Sequence, residues 1–199
     1  MTTIDIEKPV EASRAKRLKA RTNTTHERLD ASIMAGRPFE DRRRYGLFLT
    51  VQHSFHRDID ALYSSAVLEG LLPDLDGRRR LDLIGQDIVD LGIAVPDVAE
   101  APVFDGDADL PTALGWLYVA EGSNLGAAFL LKEAAKLGLS EAFGARHLAP
   151  APEGRGLHWR TFTAALDALE LSKEEEDRVV AGAEAAFRCV HGLVRETFG

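Results

Sequence analysis

Apolar residues recur at three- and four-residue steps along almost the whole chain, and no run alternates convincingly at period two. A strand turns every second side chain to the core, whereas a helix repeats its buried stripe about every 3.6 residues. The pattern therefore predicts an all-α fold of six or seven helices. Residues 10–35 carry Leu18, Thr22, Thr25, Leu29 and Ile33 on one stripe, with Pro9 suited to the first turn and Gly36 and Pro38 ending it. A second helix over 40–67 places Tyr45, Phe48, Val51, Phe55, Ile59 and Leu62 on its apolar face. A third covers 77–91, a Pro- and Gly-containing connector covers 92–111, and a long apolar helix runs over 111–138. After a loop at 144–156, helices at 157–170 and 173–198 close the chain, the last opened by Ser172 and Glu175 as a capping box.

The 199 residues suit one compact domain over 1–199, with 1–12 expected to be a flexible extension. A net charge of −8 argues against general nucleic-acid binding, which needs positive charge to displace counterions. The lone Cys189 excludes an intramolecular disulfide, and on a buried face it reads as an inert thiol. The N-terminus has no apolar core of a signal peptide. The most apolar stretch, ALGWLYVAEGSNLGAAFLL at 113–131, carries Glu121 and Asn124 mid-span, which disfavours a membrane location. The expected home is cytoplasmic, with no membrane and no nucleic-acid partner.

That stretch breaks a propensity rule. Gly115, Gly122 and Gly126 lie near one face, and each costs about 1 kcal/mol relative to Ala in a helix interior. Two readings stand: another helix packs closely there, or a planar ligand lies on bare backbone with a kink opening the helix. Ser123 and Asn124 stand beside the glycines, where they can hold an ordered water over such a ligand.

His26, near the stripe of the first helix, is either a half-buried structural imidazole or an axial metal ligand of the kind haem iron takes, with Glu27 or a carbonyl as acceptor for its other nitrogen. Gln52 and His56 share a helix face and suit joint hydrogen bonding to water. No HExxH motif supports zinc, and no GxSxG elbow, Walker loop or GxGxxG is present. His147, His158 and His191 read as structural or surface residues. The basic clusters at 14–21, 42–44 and 78–80 read mainly as solvated faces. Lys19, two turns before His26, shares its face and suits the anionic edge of a ligand bound there.

Four segments, TTHERLD, QHSFHRD, WLYVAEGSNLGAAFLLKEAAKLGL and GARHLAPAPEGRGLHWRTFTAALD, together resemble the bacterial biliverdin-producing haem oxygenases over about residues 14–198. EGSxLG and GRGxHWxxF are fairly specific in combination. The resemblance implies haem b held between a proximal helix, with His26 on the iron, and a distal helix 111–138 kinked at Gly122 and Gly126. It implies ring opening by three oxygenations, giving biliverdin, ferrous iron and carbon monoxide. Haem is both substrate and cofactor, and O2 and electrons from a ferredoxin or flavoprotein reductase are consumed by a monomer. Many relatives anchor a distal water with an Asp where this chain has Ser123. Some bacterial members instead use a network like Gln52, His56, Trp116 and Asn124. Lys19 and Tyr118 match positions that hold the propionates for α-meso cleavage. Lys132 matches a lysine used when the haem is rotated, but that set's second lysine falls at Met34, so α-cleavage is expected. Arg188 is a further propionate candidate. A haem carrier, store or sensor without turnover is the principal alternative; a helical enzyme with another cofactor lacks a visible nucleophile, and a helical adaptor leaves the glycines unexplained.

Overall fold

In the computed structural model of the protein, which describes residues 13–96 and 100–199, the described residues form seven α-helices. They are α1 (Arg14–Ala35), α2 (Arg42–Ile59), α3 (Ala66–Leu71), α4 (Leu81–Asp90), α5 (Leu110–Ala135), α6 (Arg155–Ala168) and α7 (Lys173–Phe198). Side chains that accept the otherwise unpaired first N–H groups set several of the starts. Ser13 accepts from Lys16 at α1, Asp41 from Arg44 at α2, and Asp109 from Thr112 at α5, where Pro111 occupies the first turn. Ser172 and Glu175 form the expected reciprocal capping box at α7. Pro9 and the expected extension 1–12 lie outside the described residues.

The helix expected over 40–67 is two helices. After Ile59 the chain tightens into a 3-10 turn (Asp60–Ser64), and Ser65 then caps α3 by accepting from the Leu68 nitrogen. The turn still buries Leu62 and Tyr63, so the apolar period runs on across a backbone break and conceals it. Likewise α4 starts only at Leu81, behind a short 3-10 turn (Asp76–Arg78), and α6 starts at Arg155 after Gly154 at φ +88°. The connector has no helix in its described part before α5 begins at Leu110.

α5 is the central helix, packed against α7, α6 and α2. Its crossing with α7 is made backbone to backbone. A Cβ on Gly115 would stand 2.5 Å from the Ala183 nitrogen, and one on Gly182 would stand 2.5 Å from the Thr112 carbonyl oxygen. Gly115 therefore takes the close-packing reading, and only Gly122 and Gly126 remain for a ligand. α1 packs on α7 and α6. Its buried Arg14 donates to the Leu166 and Leu169 carbonyls at the end of α6 and to Glu176 of α7 at 2.7 Å, so this member of the basic cluster is a clamp rather than part of a solvated face. No described helix is long and apolar enough to cross a membrane.

Two apolar clusters result. One gathers Val51, Phe55, Leu114, Leu117, Phe162 and Val179; the other gathers Tyr45, Phe48, Ile84, Ile88, Leu139 and Leu148. Residues of α1 and of the second half of α5 together line a hollow.

Candidate active site

The hollow is a cavity of about 620 Å³, within the range of small-molecule and cofactor sites. One wall is α1. Lys19, Asn23, His26, Asp30 and Ile33 succeed one another at three- and four-residue steps and line it. His26 is more than half exposed, its Nε2 lies 3.5 Å from Asp30 Oδ2, and its ring sits 5.5 Å from that of Phe187. Glu27, expected as a partner for His26, accepts from Asn23 at 2.8 Å instead.

The facing wall is α5, which presents Tyr118, Gly122, Ser123, Asn124 and Gly126. A Cβ on Gly126 would meet nothing within 4 Å, and one on Gly122 would meet only the Trp159 ring at 3.7 Å. α5 is one unbroken α-helical element through both glycines. The Ser123 hydroxyl donates to the Ala120 carbonyl at 2.6 Å and so is occupied within its own helix.

Gln52 and His56 of α2 line the end of the cavity together with Arg80 and His147. Buried Nδ1 of His56, Nδ2 of Asn124, Nε of Arg80 and Nε2 of His147 have no hydrogen-bond partner. Unpaired buried polar atoms are costly, so a concentration of them around a cavity marks a place for water or ligand. Burial, with His147, Arg80 and His53 adding to it, pushes the His56 pKa down to about 3. The ring is therefore neutral and able both to donate and to accept. His147 is oriented from behind: its Nδ1 meets Asp87 Oδ2 at 2.8 Å, and Asp87, fully buried, also accepts from the Arg146 and His147 backbone nitrogens.

Of the residues singled out in the sequence, Lys19, His26, Gln52, His56, Tyr118, Gly122, Ser123, Asn124 and Gly126 all line this one cavity. Trp116 does not. It is stacked behind Phe55, with ring centroids 6.0 Å apart, and meets Phe104 edge-on at 5.3 Å. Lys132 is exposed on α5 beyond the lining, and Arg188 is exposed on α7 with Glu184 3.8 Å away. Arg80 and His147 also line the cavity, whereas the sequence pattern puts Arg80 in a solvated basic cluster and His147 among the structural or surface histidines. No local pattern distinguishes them, because what brings them in is the packing of loops distant in sequence.

The donor set fits a haem. An imidazole stands on one wall, uncovered backbone on the other, a lysine and a tyrosine are at hand, and apolar side chains such as Leu29, Ile33 and Phe187 line the remainder. The Heme oxygenase family model matches residues 12–196.

The chain is a member of the haem oxygenase family.

It is 42% identical over 198 residues, the full length of both chains, to heme oxygenase PigA of Pseudomonas aeruginosa. The heme oxygenase of Neisseria meningitidis, solved with NO and CO bound, superposes with a TM-score of 0.88 at 45% identity, over 94% of this chain and 92% of that one. Heme oxygenase 2 of Chlamydomonas reinhardtii, solved without heme, superposes with a TM-score of 0.74 at 16% identity, over 94% and 98%. That last likeness concerns the fold alone. The all-α fold expected from the periodicity is the haem oxygenase fold, and the chain is a haem-degrading enzyme.

Proposed function

We propose that this haem oxygenase cleaves its substrate at the α-meso carbon to biliverdin, ferrous iron and carbon monoxide. O2 and electrons come from outside, through a ferredoxin or flavoprotein reductase, and a single chain is the working unit. One observation carries the reading: a single cavity has the His26 imidazole on one wall and two glycines with open space above their backbone on the other. Haem supplies both the ring to be opened and the iron at which dioxygen is reduced.

The chain's residues do the rest. His26 would hold the haem iron through its imidazole. Gly122 and Gly126 leave the facing wall free of side chains at those two positions. Ser123 is tied to its own helix, so holding water falls to Gln52, Asn124 and the neutral His56; the Asn124 amide and the His56 ring each keep an unpaired buried nitrogen for it. Trp116 acts only by backing Phe55. Lys19 and Tyr118 hold the propionates. Lys132 stands outside the lining and Met34 is part of it, which supports the α orientation; Arg188 takes no part.

The test is product chromatography on Lys19→Gln combined with Tyr118→Phe. The parent should yield mainly the α isomer and the double variant a mixture. An unchanged product in the double variant would mean that the propionates are held elsewhere.

A further inference from the structure

α1 ends without the ordinary supports of a helix end. Its last turn carries no basic side chain. Gly36 behind it stays right-handed at φ −67°, so the left-handed step falls on Arg37 at φ +48°, where a Cβ makes it unfavourable. The Gly36 nitrogen bonds to the Ser32 and Ile33 carbonyls and the Arg37 nitrogen to the Met34 carbonyl. A helix end held only by its own backbone opens readily. Yet this turn is part of the cavity wall, since Ile33 and Met34 both line the cavity.

Two side chains from other helices converge on that end. Arg44, in the first turn of α2, donates from Nε to the Gly36 carbonyl oxygen at 2.8 Å and from Nη2 to the same oxygen, and Glu40 Oε2 stands 3.7 Å from its Nε. The ring of Phe198, in the last turn of α7, lies against Gly36, where an added Cβ would stand 2.9 Å from Cγ and from Cδ1. The Arg44 guanidinium lies over the same ring, with its carbon 5.7 Å from the centroid, within the reach of a cation–π contact. Among the described residues, Ile33 and Phe198 are the two partly buried apolar side chains that pack against both apolar clusters.

We propose that Phe198 is a positioning residue for haem: with Gly36 beneath its ring and Arg44 over it, it latches the last turn of α1 to α7 and α2 and so fixes Ile33 and Met34 in the cavity wall. α7 already meets α1 once along the cavity, where the Phe187 ring stands 5.5 Å from that of His26. Phe198 is the second meeting, past Met34. Held at both places, the end of α1 has one course beside the cavity. Held at the first alone, its last turn is free to open, and the wall loosens where Ile33 and Met34 stand. Gly36 permits the close approach of the ring, and the ring gives Arg44 a surface to stack on while it holds the Gly36 carbonyl.

The effect on haem rests on the haem-binding reading of the cavity; the latch does not. Hydrogen exchange of the apoprotein tests the latch directly. Phe198→Ala should speed exchange of the backbone N–H groups at 33–36 by about tenfold and leave those in the middle of α5 unchanged. Phe198→Leu, which keeps apolar bulk without a ring, should give a smaller change in the same direction. Haemin release into excess apomyoglobin is then timed for the same proteins, under conditions where each apoprotein is folded.

Phe198→Ala should release haemin about tenfold faster than the parent. Gly36→Ala pushes the ring aside, so it should also speed release in the parent and add nothing on top of Phe198→Ala. Unchanged exchange at 33–36, exchange raised equally in every helix, or additive effects of the two substitutions would each overturn the latch. Parental haemin release from a Phe198→Ala protein whose α1 end has loosened would overturn the role of Phe198 in holding haem. A parent that takes up no haemin contradicts the haem reading instead, and the exchange comparison still decides the latch.

Discussion

A methyl group on Gly115 would collide with the α7 backbone, whereas the same group on Gly126 would meet nothing. Two chemically identical substitutions should therefore have opposite signs. Gly115→Ala should lower the apoprotein's stability by about 1–3 kcal/mol through overpacking. Gly126→Ala should raise it by about 1 kcal/mol through helix propensity, while slowing haem degradation. Urea denaturation of both variants checks this, and a destabilised Gly126→Ala would mean that the backbone there is not bare for a ligand's sake. His56 makes a second prediction at this scale. Its folded pKa of about 3 lies below the ordinary 6.5, so below about pH 6.5 the unfolded chain binds more protons than the native one. Stability should then fall as pH drops from there toward 3, by at most about 1.4 kcal/mol per pH unit from this group. His53, also depressed by burial, acts in the same sense. His56→Gln should flatten the acid-side slope of apoprotein stability, and an unaltered slope would place the proton elsewhere.

At the scale of elements, α5 is held in place by a buried ion pair. Arg78 and Glu121 are both nearly inaccessible and 2.9 Å apart, and Arg78 also donates to the Pro73 and His158 carbonyls. Removing one partner leaves the other charge buried and alone, so Arg78→Met should cost about 3–5 kcal/mol. Replacing Arg78 and Glu121 together with apolar residues should cost less than that single change. Thermal denaturation of the two variants beside the parent decides; equal losses in the single and double variants would show that the pair does not act as a unit. Much of this scale was legible in the sequence. The capping box at Ser172 gave the start of α7, and the glycine spacing picked out α5 as unusual. The break after Ile59 was not legible, because Leu62 and Tyr63 keep the apolar period through a 3-10 turn. Nor were the burial of Arg14, Arg78 and Arg80, since a run of basic residues looks the same whether its carboxylate partners are solvent-side or, like Glu121, a helix away. The glycine spacing placed Gly115 with Gly122 and Gly126 on one face, and only the course of α7 separates them. Arg80 and His147 come to the cavity from loops, where no periodicity announces direction.

For the whole molecule, the cavity is lined by residues of both apolar clusters, Phe55 and Phe187 from one and Phe48 and Leu148 from the other. A ligand filling it touches both and binds only the folded chain, so haemin should raise the melting temperature, and the gain should grow with its concentration. His26→Ala should keep the apoprotein's stability, since His26 is more than half exposed, and lose the axial ligation seen in the Soret band. The most direct test of the central claim is a time course of absorption on the haemin complex of the parent protein, with ascorbate, air and catalase, followed by chromatography of the product. The Soret band should decay as biliverdin absorption grows, with the α isomer predominant. A Soret band that persists in a complex ligated through His26, with a competent reductase also present, would contradict the account.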